Sequence, residues 1–133
     1  ASACGRRHEL LDTLTQLLQV DVLIRGELEQ LEHYVDRVGY TEHNPGIGDG
    51  VASLREALDR RAADGNAIIQ YQKSHRLLAD GCFVLSVCKG RLDGVHTSFY
   101  DLFRLSEGKI VEHLDTTEAV PPRSEWKNEN GKF

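Results

Sequence analysis

The fold is decided by residues 96–117, whose sequence is HTSFYDLFRLSEGKIVEHLDTT. Aromatic and branched apolar residues recur in both halves of this stretch, and a short polar segment, residues 106–108, separates them. Such a pattern is typical of two antiparallel strands joined by a tight turn. The sequence therefore predicts one strand at residues 96–105 and a second at residues 109–117.

The same pattern extends upstream, where residues 69–78 and 82–89 predict two further strands. The first third of the chain is different, because its apolar residues recur with a helical period from Glu9 onward, again over residues 28–38, and again over residues 51–63. Helices followed by an antiparallel meander predict an α+β fold. Residues 9–133 are expected to form one domain, preceded by a disordered or processed tail at residues 1–8.

Charge and composition exclude several classes of protein. The 133 residues carry a formal net charge of -5, whereas a nucleic-acid surface needs clustered lysine and arginine. The chain has no apolar run long enough to span a bilayer. Its three cysteines predict no disulfide framework, which is typical of a reducing compartment. We therefore expect a cytoplasmic protein that binds neither nucleic acid nor membrane.

The turn at Glu107 and Gly108 determines which side chains share a face of the sheet. A two-residue turn would place Glu107 at positive φ, which residues other than glycine and asparagine resist. A three-residue loop avoids this strain, so the sequence predicts that Leu105 pairs with Lys109. One face then carries Phe99, Asp101, Phe103, Val111, His113 and Asp115, and the other carries Tyr100, Leu102, Arg104, Ile110, Glu112 and Leu114.

The first hairpin is predicted by the same rule to pair Leu78 with Cys82. In this arrangement both faces of the sheet are apolar. One face is expected to meet the helices, and a second copy of the chain is the simplest cover for the other. The sequence therefore predicts a homodimer through the outer face of the sheet.

The polar residues on the predicted inner face are Asp101, His113 and Asp115. A carboxylate among phenylalanines has a raised pKa, and a second carboxylate nearby raises it further. Such a group can act as a general acid or base near neutral pH. The other interpretation is a structural network in which Asp101 is hydrogen-bonded to His113 and nothing is bound. Spacing alone leaves both interpretations open.

Three motifs resemble the SnoaL-like polyketide cyclase family. Residues 40–45, YTEHNP, with residues 49–50, DG, resemble its Y-x-x-H-N-P…D-G signature. Residues 100–104 and 108–115, YDLFR and GKIVEHLD, resemble its F-D-x-[FY]-R…G-K-I-x-E-H-W-D stretch, and residues 128–131, NENG, are similar to its N-x-N-G tail. The resemblance covers roughly residues 10–133. Leu114 stands in place of the usual tryptophan, which enlarges or reshapes that face.

The resemblance implies a nuclear transport factor two-like fold, in which N-terminal helices pack on a curved, mostly antiparallel sheet to form a cone with a central pocket. It also implies an aspartate as acid/base group, no metal or cofactor, and homodimers through the open sheet face. The residues matched to catalytic roles are Asp101, Asp115, His113 and His43, and those matched to substrate binding are Tyr40, Asn44, Phe99, Phe103 and Trp126. Asn44 is also expected to cap its loop, and Arg104 and Glu112 are expected to form a cross-strand charge pair on the outer face.

These features predict a cofactor-free lyase, cyclase or isomerase that acts on a small hydrophobic or aromatic carbonyl compound with an enolisable centre. Two alternatives use the same fold: a non-catalytic binding module for a small apolar ligand, and a dimerisation or interaction domain with a filled core.

Overall fold

A computed structural model of the chain describes residues 5–17 and 22–133. Helix α1 spans Arg7–Thr15 and helix α2 spans Val51–Asp59, with a 3-10 turn at Leu28–His33 between them. The strands are β1 Thr41–Glu42, β2 Ile69–Asp80, β3 Phe83–Leu92, β4 Val95–Ser106 and β5 Lys109–Ala119, and a second 3-10 turn, Arg123–Glu125, follows. Helical elements first and a meander second confirm the predicted α+β fold.

The five strands form one mixed sheet in the order β1-β5-β4-β3-β2. β1 runs parallel to β5, and all other neighbours are antiparallel. Helix α1 packs against β2 and β3, because its apolar stripe and the inner face of the sheet exclude water together. The core includes Leu10, Leu14, Leu17, Leu31, Val35, Tyr40, Val84, Cys88, Phe99, Phe103, Leu105 and Ile110.

The second predicted helix, residues 28–38, is reduced to the 3-10 turn. Beyond that turn the backbone pairs with β5 instead: Ile110 N–H donates to the carbonyl of Tyr34, and Asp36 N–H donates to the carbonyl of Ile110. Lys109 Nζ also donates to the carbonyl of His33 at 2.6 Å. Backbone groups that pair with a strand edge cannot also form helical hydrogen bonds. The helical segment therefore ends at His33, although the apolar spacing of the sequence continues to residue 38.

The predicted register of the β4–β5 hairpin is wrong by two residues. Both Glu107 and Gly108 adopt positive φ, 52° and 79°, so the loop has two residues and the left-handed strain at Glu107 is accepted. A β-bulge after Arg104 then shifts the pairing, and Asp101 lies opposite Asp115 instead of His113. An offset of two residues preserves the face of each side chain, so Asp101, His113 and Asp115 still share one face. Ile110, on the turn side of the bulge, lies in the core and not on the outer face as predicted.

The predicted register of the β2–β3 hairpin is also wrong. Leu78 pairs with Leu85 instead of Cys82, and Asp80 pairs with Phe83 across a turn that begins with Gly81 at φ 59°. The offset is odd, so it exchanges the two faces of β3. Val84 and Cys88 therefore line the core, and Phe83 is 39% exposed on the outer face.

Cys88 is a buried free thiol, and burial raises its pKa to about 11. Cys82 is disulfide-bonded, a bond that the prediction of no disulfide framework did not include. Disulfides are more typical of oxidising compartments, and the cytoplasmic location stays a prediction. No helix in residues 5–17 and 22–133 is long and apolar enough to cross a membrane. The first four residues of the predicted N-terminal tail lie outside the described residues.

Candidate functional site

Glu42 is the anchor of a buried polar network on the inner face of the sheet. The two-residue strand β1 runs alongside β5 and pairs Glu42 with His113, which places both side chains on the same face. Asp49 fixes this strand by accepting the Glu42 N–H at 2.8 Å. The Glu42 carboxylate is fully buried and accepts a hydrogen bond from the Tyr40 hydroxyl at 2.8 Å.

His113 connects Glu42 to Asp101. Its Nδ1 lies 2.8 Å from Glu42 Oε2, and its Nε2 lies 2.7 Å from Asp101 Oδ1. The other Asp101 oxygen accepts a hydrogen bond from the Tyr71 hydroxyl at 2.8 Å. We call Glu42, His113, Asp101 and Tyr71 the buried relay. It runs across the sheet from β1 through β5 and β4 to β2.

The charges in the buried relay follow from this geometry. Both ring nitrogens of His113 face carboxylates, which requires that both nitrogens donate, as in an imidazolium. Burial by itself disfavours that cation, but the hydrogen bonds and charges of Asp101 and Glu42 outweigh burial and raise the pKa of His113 to about 10. Burial also opposes the charge on Glu42, and the hydrogen bonds from His113 and Tyr40 nevertheless lower the pKa of this carboxyl.

The two tyrosines of the site are neutral donors. Burial raises the pKa of the Tyr71 phenol well above its ordinary value, and the Asp101 charge raises it further. Burial, followed by the Glu42 charge, does the same for the pKa of Tyr40. Each phenol therefore keeps its proton and directs it to a carboxylate.

Asp115 lies beside the relay, half-buried. Its Oδ2 accepts a hydrogen bond from Asn44 Nδ2 at 3.0 Å. Ligand atoms of Asp101, His113 and Asp115 lie within 4.8 Å of one another, which is close enough for a metal ion. A metal would have to displace the hydrogen bonds at both His113 and Asp101, so hydrogen bonding and metal binding compete for the same atoms.

A small cavity opens next to the buried relay. Its volume is about 40 Å³, and its walls are mostly apolar except for Tyr40, Tyr71 and His113. Phe103 lies in the wall and stacks on the His113 ring with 5.0 Å between centroids. A larger outer cleft of about 450 Å³ shares Leu23, Leu58 and Tyr71 with it. The two spaces therefore adjoin at Tyr71.

The structure brings together most of the residues predicted for the site. Asp101 and His113 are buried in the relay, and Tyr40 and Phe103 line the cavity. Asn44 caps its loop as predicted, because its Oδ1 accepts the Gly46 N–H at 2.9 Å. Phe99 is buried and packs on Tyr71 with 4.6 Å between ring centroids.

Two predicted residues lie elsewhere. His43 Nε2 contacts Glu112 at 2.6 Å, and Glu112 also forms the predicted pair with Arg104 at 2.7 Å, which is confirmed on the outer face. His43 therefore belongs to the outer face and not to the relay. Trp126 donates to the carbonyl of Pro121 at 2.9 Å and lies beneath the Arg123 guanidinium, in a separate surface depression at the C-terminal end of the chain.

Sequence reasoning missed two members of the relay, Glu42 and Tyr71. Strand β1 has two residues, which is too short to produce an alternating pattern. Two register shifts in β2, after Tyr71 and after Ser74, break the alternation that would have oriented Tyr71. One sequence feature could have pointed to Glu42: it is the only acidic residue of the motif at residues 40–45.

Comparison with known proteins identifies the fold of the chain. No protein-family model matches the chain, and no curated protein matches its sequence. Solved structures do match it. A nuclear transport factor two-like protein of unknown function from Burkholderia xenovorans LB400 has a TM-score of 0.72 at 14% identity, covering 95% of this chain and 98% of that one.

Two enzymes also share the fold. A SnoaL-like polyketide cyclase from Agrobacterium tumefaciens has a TM-score of 0.63 at 15% identity over 82% of this chain and 91% of that one. An epoxide hydrolase of M. tuberculosis has a TM-score of 0.60 at 18% identity over 84% of both chains. The chain therefore has the nuclear transport factor two-like fold that SnoaL-like polyketide cyclases share, and identities this low speak for the fold alone.

Proposed function

We propose that this protein binds a small carbonyl compound and removes a proton from the carbon next to its carbonyl, with Asp101 as the base. The observation that carries the proposal is the buried carboxylate of Asp101, 1% exposed, held between Tyr71 and an imidazolium beside an apolar cavity. Burying so many polar groups costs free energy that an apolar core would not. Such networks are concentrated at functional sites.

The hydrogen bond from Tyr71 to Asp101 suggests how the reaction begins. A ligand carbonyl that enters the cavity can accept the hydrogen bond that the Tyr71 hydroxyl otherwise donates to Asp101. This exchange frees Asp101 Oδ2, while His113 still holds Oδ1. The freed carboxylate takes the α-proton, and the negative charge that develops on the ligand oxygen is stabilised by Tyr71.

The atom that receives the proton back from Asp101 then determines the class of the reaction. From a β,γ-unsaturated ketone the product is a dienolate, and Asp101 can return the proton to its γ-carbon, which is an isomerisation. Alternatively the enolate carbon forms a bond to a second carbonyl of the same molecule, whose oxygen receives the proton, and this closes a ring. Both reactions balance without a cofactor, and Glu42 acts only as a positioning residue that holds the His113 ring.

The experiment that tests the proposal is hydrogen–deuterium exchange at the α-carbon of cyclic and aryl ketones in D₂O, followed by proton NMR. Wild-type protein is expected to accelerate exchange, and Asp101→Asn to lose about 10²–10⁴-fold of that rate. Asp115→Asn is the matched control, because it removes the half-buried carboxylate directly across the strand pair. Equal rates for wild type and Asp101→Asn would overturn the proposal, and loss only in Asp115→Asn would move the base to Asp115.

A non-catalytic binding module is the second candidate. It is favoured by the fact that both oxygens of Asp101 already accept hydrogen bonds, as in a finished structural network. In that case ketones would raise the melting temperature of wild type and of Asp101→Asn equally, with no exchange in either.

A further inference from the structure

The outer cleft offers the space that the inner cavity lacks. The inner cavity holds about 40 Å³, close to the volume of one water molecule. Small-molecule sites in proteins have volumes of roughly 300–1,000 Å³, and the outer cleft reaches about 450 Å³. A ligand larger than a few atoms must therefore keep most of its body in the outer cleft and direct only its reacting end past Tyr71.

Two arginines line the outer cleft, Arg25 and Arg61, together with a single acid, Asp59. Among residues 5–17 and 22–133, Arg61 forms no ion pair, and Arg25, which is exposed, has only a loose contact of 3.6 Å with the partly exposed Glu27. Exposed pairs of this kind are weak. Both guanidinium groups can therefore bind an anion on a ligand at little cost.

The two ends of the combined space differ in charge. The inner end is next to three carboxylates, those of Glu42, Asp101 and Asp115, and only one imidazolium offsets their negative charge. The outer end has two guanidinium groups against one carboxylate in a chain whose net charge is -5. An anionic group is repelled from the inner end and attracted to the outer one, so it would orient the ligand with its neutral end toward Tyr71.

We infer that the ligand of this protein is an amphipathic acid, whose anionic group binds Arg61 and Arg25 in the outer cleft and whose apolar carbonyl end reaches Tyr71. Arg61 forms a backbone bridge with Ala67, and the four residues from Ala67 to Tyr71 span at most roughly 13 Å. Arg61 and Tyr71 line the same cleft, so one small ligand can contact both side chains. Which end reacts rests on the proposed function, whereas binding of the anion does not.

The test uses benzoylpropionate and benzoylbutyrate, two aryl ketones that carry a carboxylate, with their methyl esters as neutral partners. Calorimetry on wild type is expected to show the acids binding about tenfold or more tightly than the esters, since hydrogen bonds to charged groups contribute about 1.5–3 kcal/mol each. Arg61→Gln and the double variant with Arg25→Gln are expected to remove this preference. Arg76→Gln, which changes an exposed arginine on β2 outside the cleft, should keep it.

Equal affinity for acid and ester would overturn the inference, and so would an acid preference that survives in the double variant. Absence of binding by every member of the series would overturn it as well. The exchange assay separates this result from the proposed function. Arginine-dependent binding without α-proton exchange supports the anion site and refutes the acid/base role. Exchange that is equally fast for acids and esters supports the acid/base role and refutes the anion site.

Discussion

His113 shows how one residue can couple charge to stability. Its ring is buried, and both of its nitrogens contact carboxylates that are themselves buried, those of Glu42 and Asp101. Removing either carboxylate would leave one nitrogen of the buried imidazolium without its charged hydrogen-bond acceptor. The same arrangement keeps Asp101 oriented, so the stability of the site and its proposed chemistry depend on the same contacts.

The free energy of unfolding is expected to fall as the pH rises from about 6.5 to about 10. The pKa of His113 is raised to about 10 in the folded chain, above the value of about 6.5 for an unfolded histidine. Its stabilisation is therefore fully present below pH 6.5 and is lost as pH rises toward the folded pKa, by an amount on the order of a few kcal/mol. Urea unfolding across this range measures the decline, and NMR of the His113 ring should show an imidazolium at pH 8.

Glu42→Gln and Glu112→Gln provide a matched pair for this prediction, since each glutamate contacts one histidine. Glu42→Gln removes one of the two carboxylates bonded to the buried imidazolium and is expected to cost about 1–3 kcal/mol near neutral pH and to weaken the decline at higher pH. Glu112 is partly exposed, and its replacement should cost about 1 kcal/mol or less. Similar losses for the two variants would contradict the buried charge pair.

At the scale of the elements, the turns of the two hairpins differ from those that the local sequence favours. The β4–β5 turn places a glutamate in the left-handed region, although a longer loop would have avoided it. The strands on either side explain this outcome, because the β-bulge after Arg104 and the two-residue turn together keep the apolar side chains of both strands in the core. Burial of a whole strand face outweighs about 1–2 kcal/mol of strain at one residue.

Glu107→Asn is expected to stabilise the protein by about 1 kcal/mol, because asparagine tolerates positive φ better than glutamate does. Thermal or urea unfolding measures the gain. Glu129→Asn, an exposed glutamate in the C-terminal segment, is the control and should change little. A lower free energy of unfolding for Glu107→Asn than for wild type would contradict the prediction that relief of backbone strain at residue 107 stabilises the protein.

At the scale of the whole molecule, the outer face of the sheet is covered only in part. The C-terminal segment lies over part of it, where Phe133 stacks on His75 with 4.4 Å between ring centroids and Lys132 contacts Glu118 at 3.0 Å. Around Phe83 the face stays apolar, with Leu78 exposed and Leu85, Leu102 and Leu114 half-buried. A second copy of the chain on this uncovered part is our proposal for the oligomer.

Sedimentation at micromolar concentration is expected to give a homodimer, and Phe83→Ser to raise its dissociation constant at least about tenfold. Burying one phenylalanine side chain contributes about 1.5–3 kcal/mol. Val38→Ser is the control, because Val38 is 97% exposed and lies in the loop before β1, outside strands β2 to β5. A monomer for wild type, or equal dissociation constants for the two variants, would exclude this interface.

The sequence by itself determined the class of the fold, four of the five strands and most of the side chains on the inner face of β4 and β5, with Ile110 as an exception. Apolar periodicity carries this information, and it survives a register error of two residues because side chains alternate with a period of two. Asp101, His113, Tyr40 and Phe103 were found in this way or through the motifs at residues 40–45 and 100–115.

Only the tertiary structure decided that Glu42 and Tyr71 complete the site, that His43 lies on the outer face, and that the inner cavity is small. Strand β1 is paired in parallel with a segment some 70 residues away in the chain, and no local pattern encodes such a contact. The two hairpin registers were likewise set by the burial of whole faces against the helices. Local propensity at a turn is worth about 1 kcal/mol and core burial is worth far more, so the long-range packing prevails where the two conflict.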